Sequence, residues 1–199
     1  MKKGMWGLGV VMSAMVLLYL PANVIAGGAL ETIEGQINKV IELLKDPAMK
    51  AESAKEEKEK RLWEITGEIF DYRELSRRTL GRNWKKLNAK QQEEFIDLFS
   101  KLLGGVYMDK ILAFTDEKVV FEKERVVSET KVEVQSKIIT ASAEIPINYR
   151  MIKKGDEWNV YDVVIEGVSL VKNYRSQFKD ILTNKTPEDL LEILRKKVG

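Results

Sequence analysis

The fold class follows from one stretch of sequence, residues 118–165, which reads KVVFEKERVVSETKVEVQSKIITASAEIPINYRMIKKGDEWNVYDVVI. Polar and β-branched residues partly alternate in it, as in Val132, Val134, Ser136 and Ile138, and a period of two is typical of strands with one buried face. Its short polar links are Ser128-Glu129, Ala141-Ser142 and Gly155-Asp156. The pattern predicts a four-stranded antiparallel meander with strands over 118–127, 130–140, 144–153 and 157–165.

The segments on both sides of the meander have helical periodicity. Upstream, Asn88 followed by Gln91 opens a long helix that runs to about Phe114. Downstream, apolar residues recur at helical spacing from Val168 to Phe178. Helices before and after a sheet predict an α+β domain, with the sheet curved against several helices and enclosing an apolar cavity.

Three local signals refine the helical first half. Asp46 followed by Pro47 predicts the N-cap and first residue of a helix whose charged segment 50–61 is a solvated face. Asp71, with Glu74 three residues on, resembles a capping box. The pair Gly104-Gly105 lies inside the long helix and indicates close packing.

The N-terminus has the features of an export signal. A short basic region is followed by uncharged apolar residues 5–20, and small residues precede a cleavage position after Ala26. We predict a cleavable signal peptide over 1–26 and a single mature domain over 27–199, free in the periplasm. The alternative is an uncleaved membrane anchor, because the uncharged stretch is long enough to span a bilayer.

The composition excludes several classes of protein. The chain has no His and no Cys. The missing His excludes a Ser-His-Asp triad and a His-based metal site. The missing Cys excludes a thiol nucleophile, a disulfide and a Cys-based metal site. Removing Lys2 and Lys3 with the leader leaves 31 of the 33 basic residues against 31 acidic ones, and the mature chain is then formally neutral. Neutrality argues against nucleic-acid binding, which needs a basic surface. We expect no metal, no cofactor and no catalysis.

The candidate ligand site is the apolar wall between the long helix, the inner face of the sheet and the helix that follows it. Its predicted members are Trp84, Phe95, Phe99, Leu103, Tyr107, Tyr149, Met151, Val163, Ile165, Val168, Tyr174 and Phe178. The simpler interpretation is that all of them are core, since stripes at helical spacing more often fill an interior than line a cavity.

The polar residues near the last strand allow a catalytic alternative. Asp162 with Tyr161 or Tyr149 could imitate the acid and phenol of a ketosteroid-isomerase-like enzyme. Asp162, Glu166 and Arg175 are more simply explained as an ion pair or cap that holds the corner between strand and helix. A third hypothesis is a structural periplasmic adaptor with a filled core.

One segment carries a family resemblance. Residues 160–178, VYDVVIEGVSLVKNYRSQF, resemble the signature of the MlaC family, the periplasmic phospholipid-binding components of the Mla, or toluene-tolerance, ABC transport system. Three other parts of the chain agree in order with that family. They are FDYREL at 70–75 with LGRNW at 80–84, the long helix from Gln91 to Leu103, and TDEKV at 115–119.

The resemblance implies a fold related in shape to cystatin-like and NTF2-like domains, with phospholipid acyl chains buried in the cavity and the head group near solvent. It further implies transfer of lipid between an outer-membrane lipoprotein complex and an inner-membrane ABC transporter with its MCE-domain subunit. This transfer maintains the lipid asymmetry of the outer membrane. A related branch is associated with hopanoids, so the cargo could be another lipid.

Overall fold

The computed structural model describes residues 28–49 and 51–199. The predicted signal peptide, residues 1–26, lies outside the described residues. Within them, no helix combines the length and the apolar character that crossing a bilayer requires. The first half of the chain is helical, as predicted. Its α-helices are α1 Ala29–Lys45, α2 Lys55–Ile69, α3 Tyr72–Leu80 and α4 Ala89–Leu112, with short 3₁₀ helices at Pro47–Met49, Glu52–Ala54 and Gly81–Lys86.

The predicted starts of α3 and α4 are confirmed by their caps. Asn88 Oδ1 accepts a hydrogen bond from Gln91 N at 3.0 Å, and Gln91 Oε1 accepts one from Asn88 N at 3.1 Å. Asp71 Oδ1 accepts from Glu74 N at 2.9 Å, but Asp71 N donates to the Val160 carbonyl and not to Glu74, so only half of the predicted capping box forms. Each cap satisfies amide groups that have no partner within the helix, so both helices begin where the sequence predicted.

The helix predicted from Asp46 is shorter than expected. Asp46 Oδ1 accepts from Ala48 N at 2.9 Å, as an N-cap does, but the chain makes only the 3₁₀ helix Pro47–Met49 there. Regular α-helix resumes at Lys55. The cap signal was correct, whereas the continuation was not, because capping is a local bond and does not ensure that later turns stay helical.

The second half begins with the sheet and ends with two helices. The strands are β1 Lys118–Ser128, β2 Lys131–Ile139, β3 Glu144–Lys154, β4 Glu157–Ile165 and β5 Val168–Ser169, antiparallel in the order β1-β2-β3-β4-β5. The helices are α5 Leu170–Asn184 and α6 Pro187–Val198.

The sheet has five strands, not the four that were predicted. The extra strand is only two residues long and follows a turn at Glu166 and Gly167, whose φ angles are 49° and 82°. Two successive positive φ angles match the twist of a tight hairpin, so the chain folds back and Val168 pairs with Ile165. A strand this short has no periodicity that a sequence could reveal.

The two faces of the sheet differ in character. In β3, Tyr149 and Met151 are buried against an apolar cluster, whereas Arg150 between them points to the opposite, polar face. The register shifts between Arg150 and Met151, which pair with Asp162 and Val160. Tyr161 is therefore the extra residue of a β-bulge, and Asp162 shares the polar face with Arg150.

The apolar interior consists of three clusters. The helical cluster joins α3, α4, α5 and α6 and contains Leu75, Phe95, Phe99, Leu103, Val171, Tyr174, Phe178 and Leu191 among its buried residues. The sheet cluster places Ala29 and Ile33 of α1 against Val132, Val134, Tyr149, Met151, Val160 and Val163. The third cluster joins α1 and α2 through Leu43, Met49 and Leu62, with Met108, Ile111 and Leu112 of α4 packed on it.

Candidate functional site

The structure brings eleven of the twelve predicted site residues into two adjoining apolar clusters. The helical cluster holds Phe95, Phe99, Leu103, Tyr174 and Phe178, with Trp84 packed against it. The sheet cluster holds Tyr149, Met151 and Val163, with Ile165 packed against it. Tyr107 packs against both clusters. The predicted wall is thus one continuous apolar region that has two halves.

Val168 is the exception, and its assignment to the wall is corrected. Its side chain is 56% exposed, whereas its neighbour Ser169 is 5% exposed. Successive residues of a strand point to opposite sides, and in β5 the inward side belongs to Ser169, which caps α5 by accepting from Lys172 N at 3.1 Å. The need for that cap turns Val168 outward.

Aromatic rings form the centre of the helical cluster. Phe99 lies within ring-centroid distances of 5.5 Å from Phe95, 5.1 Å from Tyr174 and 5.4 Å from Phe178. Trp84 extends the group with an edge contact to Phe95 at 6.5 Å. Such pairs add attraction beyond area burial, so this half of the wall is held by α4 and α5 together.

The seam between the two clusters is formed by Tyr107 of α4 and Phe70, which follows α2. Both residues are partly buried and pack against both clusters. Burial raises the pKa of the Tyr107 phenol, which keeps it neutral. Phe70 was not among the predicted members of the wall, because it lies at a helix end outside the stripes that define the wall; its position between the two clusters is visible only in the tertiary structure.

Tyr149 is a buried phenol on the inner face of the sheet. Burial raises its pKa to about 12, so the phenol stays neutral. The Ser136 hydroxyl on the neighbouring strand donates to the Ile147 carbonyl at 2.7 Å. These two residues place neutral hydroxyl groups in the apolar region.

Asp162 acts as a structural anchor at the corner between β4 and α5. It accepts hydrogen bonds from Arg150 Nη1 at 2.9 Å, from the Ser169 hydroxyl at 2.6 Å and from Val171 N at 3.0 Å. Asp162 lies on the polar face of the sheet and Tyr149 on the apolar face, so the structure separates these two members of the catalytic alternative, whereas Tyr161 lines the same surface depression as Asp162.

Two surface depressions differ in character from the apolar wall. One, of about 470 Å³, lies between α1 and α2 and is lined largely by charged side chains. The other, of about 350 Å³, lies on the polar face of the sheet beside α3 and α5. None of the twelve predicted site residues lines either. Over residues 28–49 and 51–199, no group of three His, Cys, Asp or Glu side chains is placed to hold a metal ion.

Comparison with known proteins gives a consistent result. A family profile described as "MlaC protein" matches residues 34–196. The chain is 27% identical over 119 residues to the intermembrane phospholipid transport system binding protein MlaC of Haemophilus influenzae, and 22% identical over 120 residues to the toluene tolerance protein ttg2D of Pseudomonas putida. These alignments cover 57% and 59% of this chain, and 56% of each relative's length.

A solved structure has the same fold. The phospholipid-binding protein from Ralstonia solanacearum, determined in complex with a phospholipid, superimposes with a TM-score of 0.75 and 22% sequence identity. The match covers 85% of this chain and 96% of that one. At this identity the likeness establishes the architecture: a curved antiparallel sheet packed against several helices.

Proposed function

Because this chain belongs to the MlaC family, we propose that it is a periplasmic lipid carrier that holds phospholipid acyl chains in its apolar interior. It shuttles the lipid between an outer-membrane lipoprotein complex and an inner-membrane ABC transporter with its MCE-domain subunit. Residues 1–26 direct export and are removed after Ala26. The protein thereby contributes to lipid homeostasis of the outer membrane.

The observation that carries this proposal is the division of the interior at the seam. Tyr107 and Phe70 pack against both the helical and the sheet cluster, and α4 makes its main helix contacts with α6 and α3. Separating the two clusters at this seam exposes apolar side chains on both walls. Acyl chains that enter there make apolar contacts with both walls, in place of the apolar contacts that the two clusters make with each other.

The energetics explain why a carrier needs such an interior. Each buried CH₂ group is worth about 0.8 kcal/mol, so two chains of roughly sixteen carbons cost on the order of 25 kcal/mol to expose to water. An apolar interior removes most of that cost and makes exchange with a bilayer nearly neutral in free energy. Direction then comes from the partner complexes and from ATP hydrolysis by the transporter.

The test is native mass spectrometry of the purified mature protein, followed by extraction and identification of what it carries. Stoichiometric phospholipid that is lost on denaturation is the expected result. Recovery of a bound hopanoid would support a lipid carrier whose cargo is not phospholipid. A protein that is purified without lipid and stays empty after incubation with phospholipid vesicles would exclude the proposal and favour an adaptor with a filled core.

A further inference from the structure

A row of alternating charges crosses the polar face of the sheet. Arg125 of β1 pairs with Glu133 of β2, Glu133 with Arg150 of β3, and Arg150 with Asp162 of β4. The ion pairs are made at 3.0, 3.1 and 2.9 Å, and the two carboxylate side chains are only 8% and 3% exposed. This row forms the floor of the depression of about 350 Å³ described above, which we call the polar cleft.

Two helices add further cations to the walls of the polar cleft. Arg78 comes from α3, and Lys172 and Arg175 come from α5. The Arg78 guanidinium lies 4.1 Å from the ring centroid of Tyr161, a cation–π contact. Arg175 Nε donates to the Arg78 carbonyl at 2.9 Å. The two arginines are thus positioned before any ligand arrives, which lowers the entropy cost of binding.

The charges in the polar cleft do not balance. Five cations face two carboxylates, and both carboxylates are already hydrogen-bonded to arginine. Burial opposes ionisation of Glu133, but the hydrogen bonds from Arg150 and Arg125 hold its pKa below the ordinary value, so it stays an anion. Arg78 also pairs with Glu74, but that carboxylate is shared with Arg77. The polar cleft therefore keeps an excess of positive charge.

Several cationic donors in the polar cleft remain available. Among the described residues, Lys172 Nζ, Arg175 Nη1 and Arg150 Nη2 have no protein acceptor, although other nitrogens of both arginines do. Arginine presents its N–H groups in a planar fork that matches the oxygens of phosphate, and a lysine adds a mobile point charge. Carboxylates that have already been neutralised do not repel such an anion.

We propose that the polar cleft binds a phosphate-type oxyanion, the phosphomonoester or phosphodiester group of a small solute or of a lipid. Its volume suits a small polar group rather than two acyl chains. Val171 lines the polar cleft and also belongs to the helical cluster, so a lipid head group could occupy the polar cleft while its chains lie in the apolar interior. Binding of a lipid head group rests on the proposed function, whereas binding of a free phosphate does not.

The experiment compares two double variants of the full mature protein. Arg125→Gln/Lys172→Gln removes two charges from the polar cleft. Lys123→Gln/Lys179→Gln removes two charges from the same two elements outside it, since neither lysine lines the polar cleft. Inorganic phosphate and glycerol 3-phosphate are titrated into lipid-free protein, and binding is followed by NMR of backbone amides and arginine Nε–H groups.

The expected result is that signals of the polar cleft shift on titration and that the first variant weakens phosphate binding about tenfold or more. The control variant should change it less than twofold. Equal losses in both variants would mean unspecific attraction, and an absence of shifts at the polar cleft in the parent protein would mean no site; either result overturns the proposal.

Lipid-loaded protein then identifies the source of the anion. If the head group occupies the polar cleft, loading with phosphatidylglycerol blocks phosphate binding, and the first variant changes the ³¹P shift of the bound lipid. If the ligand is a free phosphate, loaded and lipid-free proteins bind it equally. A protein that never takes up lipid would refute the proposed function but would leave the titration of the lipid-free protein as an independent test.

Discussion

The indole of Trp63 in α2 lies directly over Gly104 in α4. A β-carbon placed on Gly104 would lie 2.0 Å from Trp63 Cζ2 and 2.4 Å from Cη2, far inside van der Waals contact. The tryptophan therefore packs against the backbone of α4, three residues before Tyr107 and the seam. This contact fixes how closely α2 and α4 approach.

Substituting Gly104→Ala should destabilise the protein. The new methyl group has to displace a large ring, and overpacking of this kind costs about 1–3 kcal/mol. Gly105→Ala is the matched control, because a β-carbon there meets nothing within 4 Å and alanine is favoured over glycine in helices by about 1 kcal/mol. Urea unfolding should give changes of opposite sign for the two variants; the same sign for both would contradict the packing described.

Filling the apolar interior should reduce lipid binding. Tyr107→Trp at the seam and Val163→Trp in the sheet cluster add volume where acyl chains are proposed to lie. We expect lower lipid occupancy by native mass spectrometry in proteins whose circular dichroism is unchanged. Val106→Trp is the control on the same helix, since Val106 is 42% exposed. Full occupancy in folded Tyr107→Trp and Val163→Trp proteins would exclude these positions from the site.

Removing the carboxylate of Asp162 should affect stability. Asp162→Ala takes acceptors from Arg150, Ser169 and Val171 and leaves buried donors without partners, a cost of about 3–5 kcal/mol for a broken buried ion pair. Glu166→Gln, at an exposed position in the adjacent turn, should change stability by less than about 0.5 kcal/mol. Denaturant unfolding checks both values; a stability of Asp162→Ala equal to that of the parent would refute the anchoring role.

The buried Glu133 and the half-buried Glu124 should give opposite pH dependences. Arg150 and Arg125 hold the pKa of Glu133 below its ordinary value of 4.5 even though burial opposes ionisation. Its contribution to stability is therefore present above pH 4.5 and is lost as the pH falls through the lowered pKa. Glu133→Gln should be less stable than the parent protein at pH 7, and the difference should shrink in acid.

Glu124 should behave in the opposite sense. Burial raises its pKa above 4.5, opposed by the hydrogen bond from Leu30 N at 3.1 Å. The cost of holding this carboxylate ionised is present above the raised pKa and disappears below 4.5. Glu124→Gln retains an acceptor for Leu30 N and should gain stability relative to the parent at pH 7 but not at pH 4. Urea unfolding at both pH values tests the pair, and a gain that persists at pH 4 would exclude this cause.

Much of the architecture was predictable from local patterns. The four long strands, the caps at Asn88 and Asp71 and the long helix up to Leu112 all depend on neighbours within a few residues along the chain. Alternation and helical spacing also placed ten of the twelve apolar residues, all except Trp84 and Val168, in or against the two clusters. Burial of a stripe is a property of the element that carries it, so periodicity is enough to predict it.

The partners against which the apolar stripes pack were determined only by the tertiary structure. The division of the wall into two clusters, the part of Phe70 in the seam and the contact of Trp63 with Gly104 join residues from different elements. The outward turn of Val168 follows from the cap that Ser169 makes. The cations of the polar cleft come from two strands and two helices and form no local pattern in the sequence. Such relationships depend on the crossing of elements and on strand register, which no local pattern encodes.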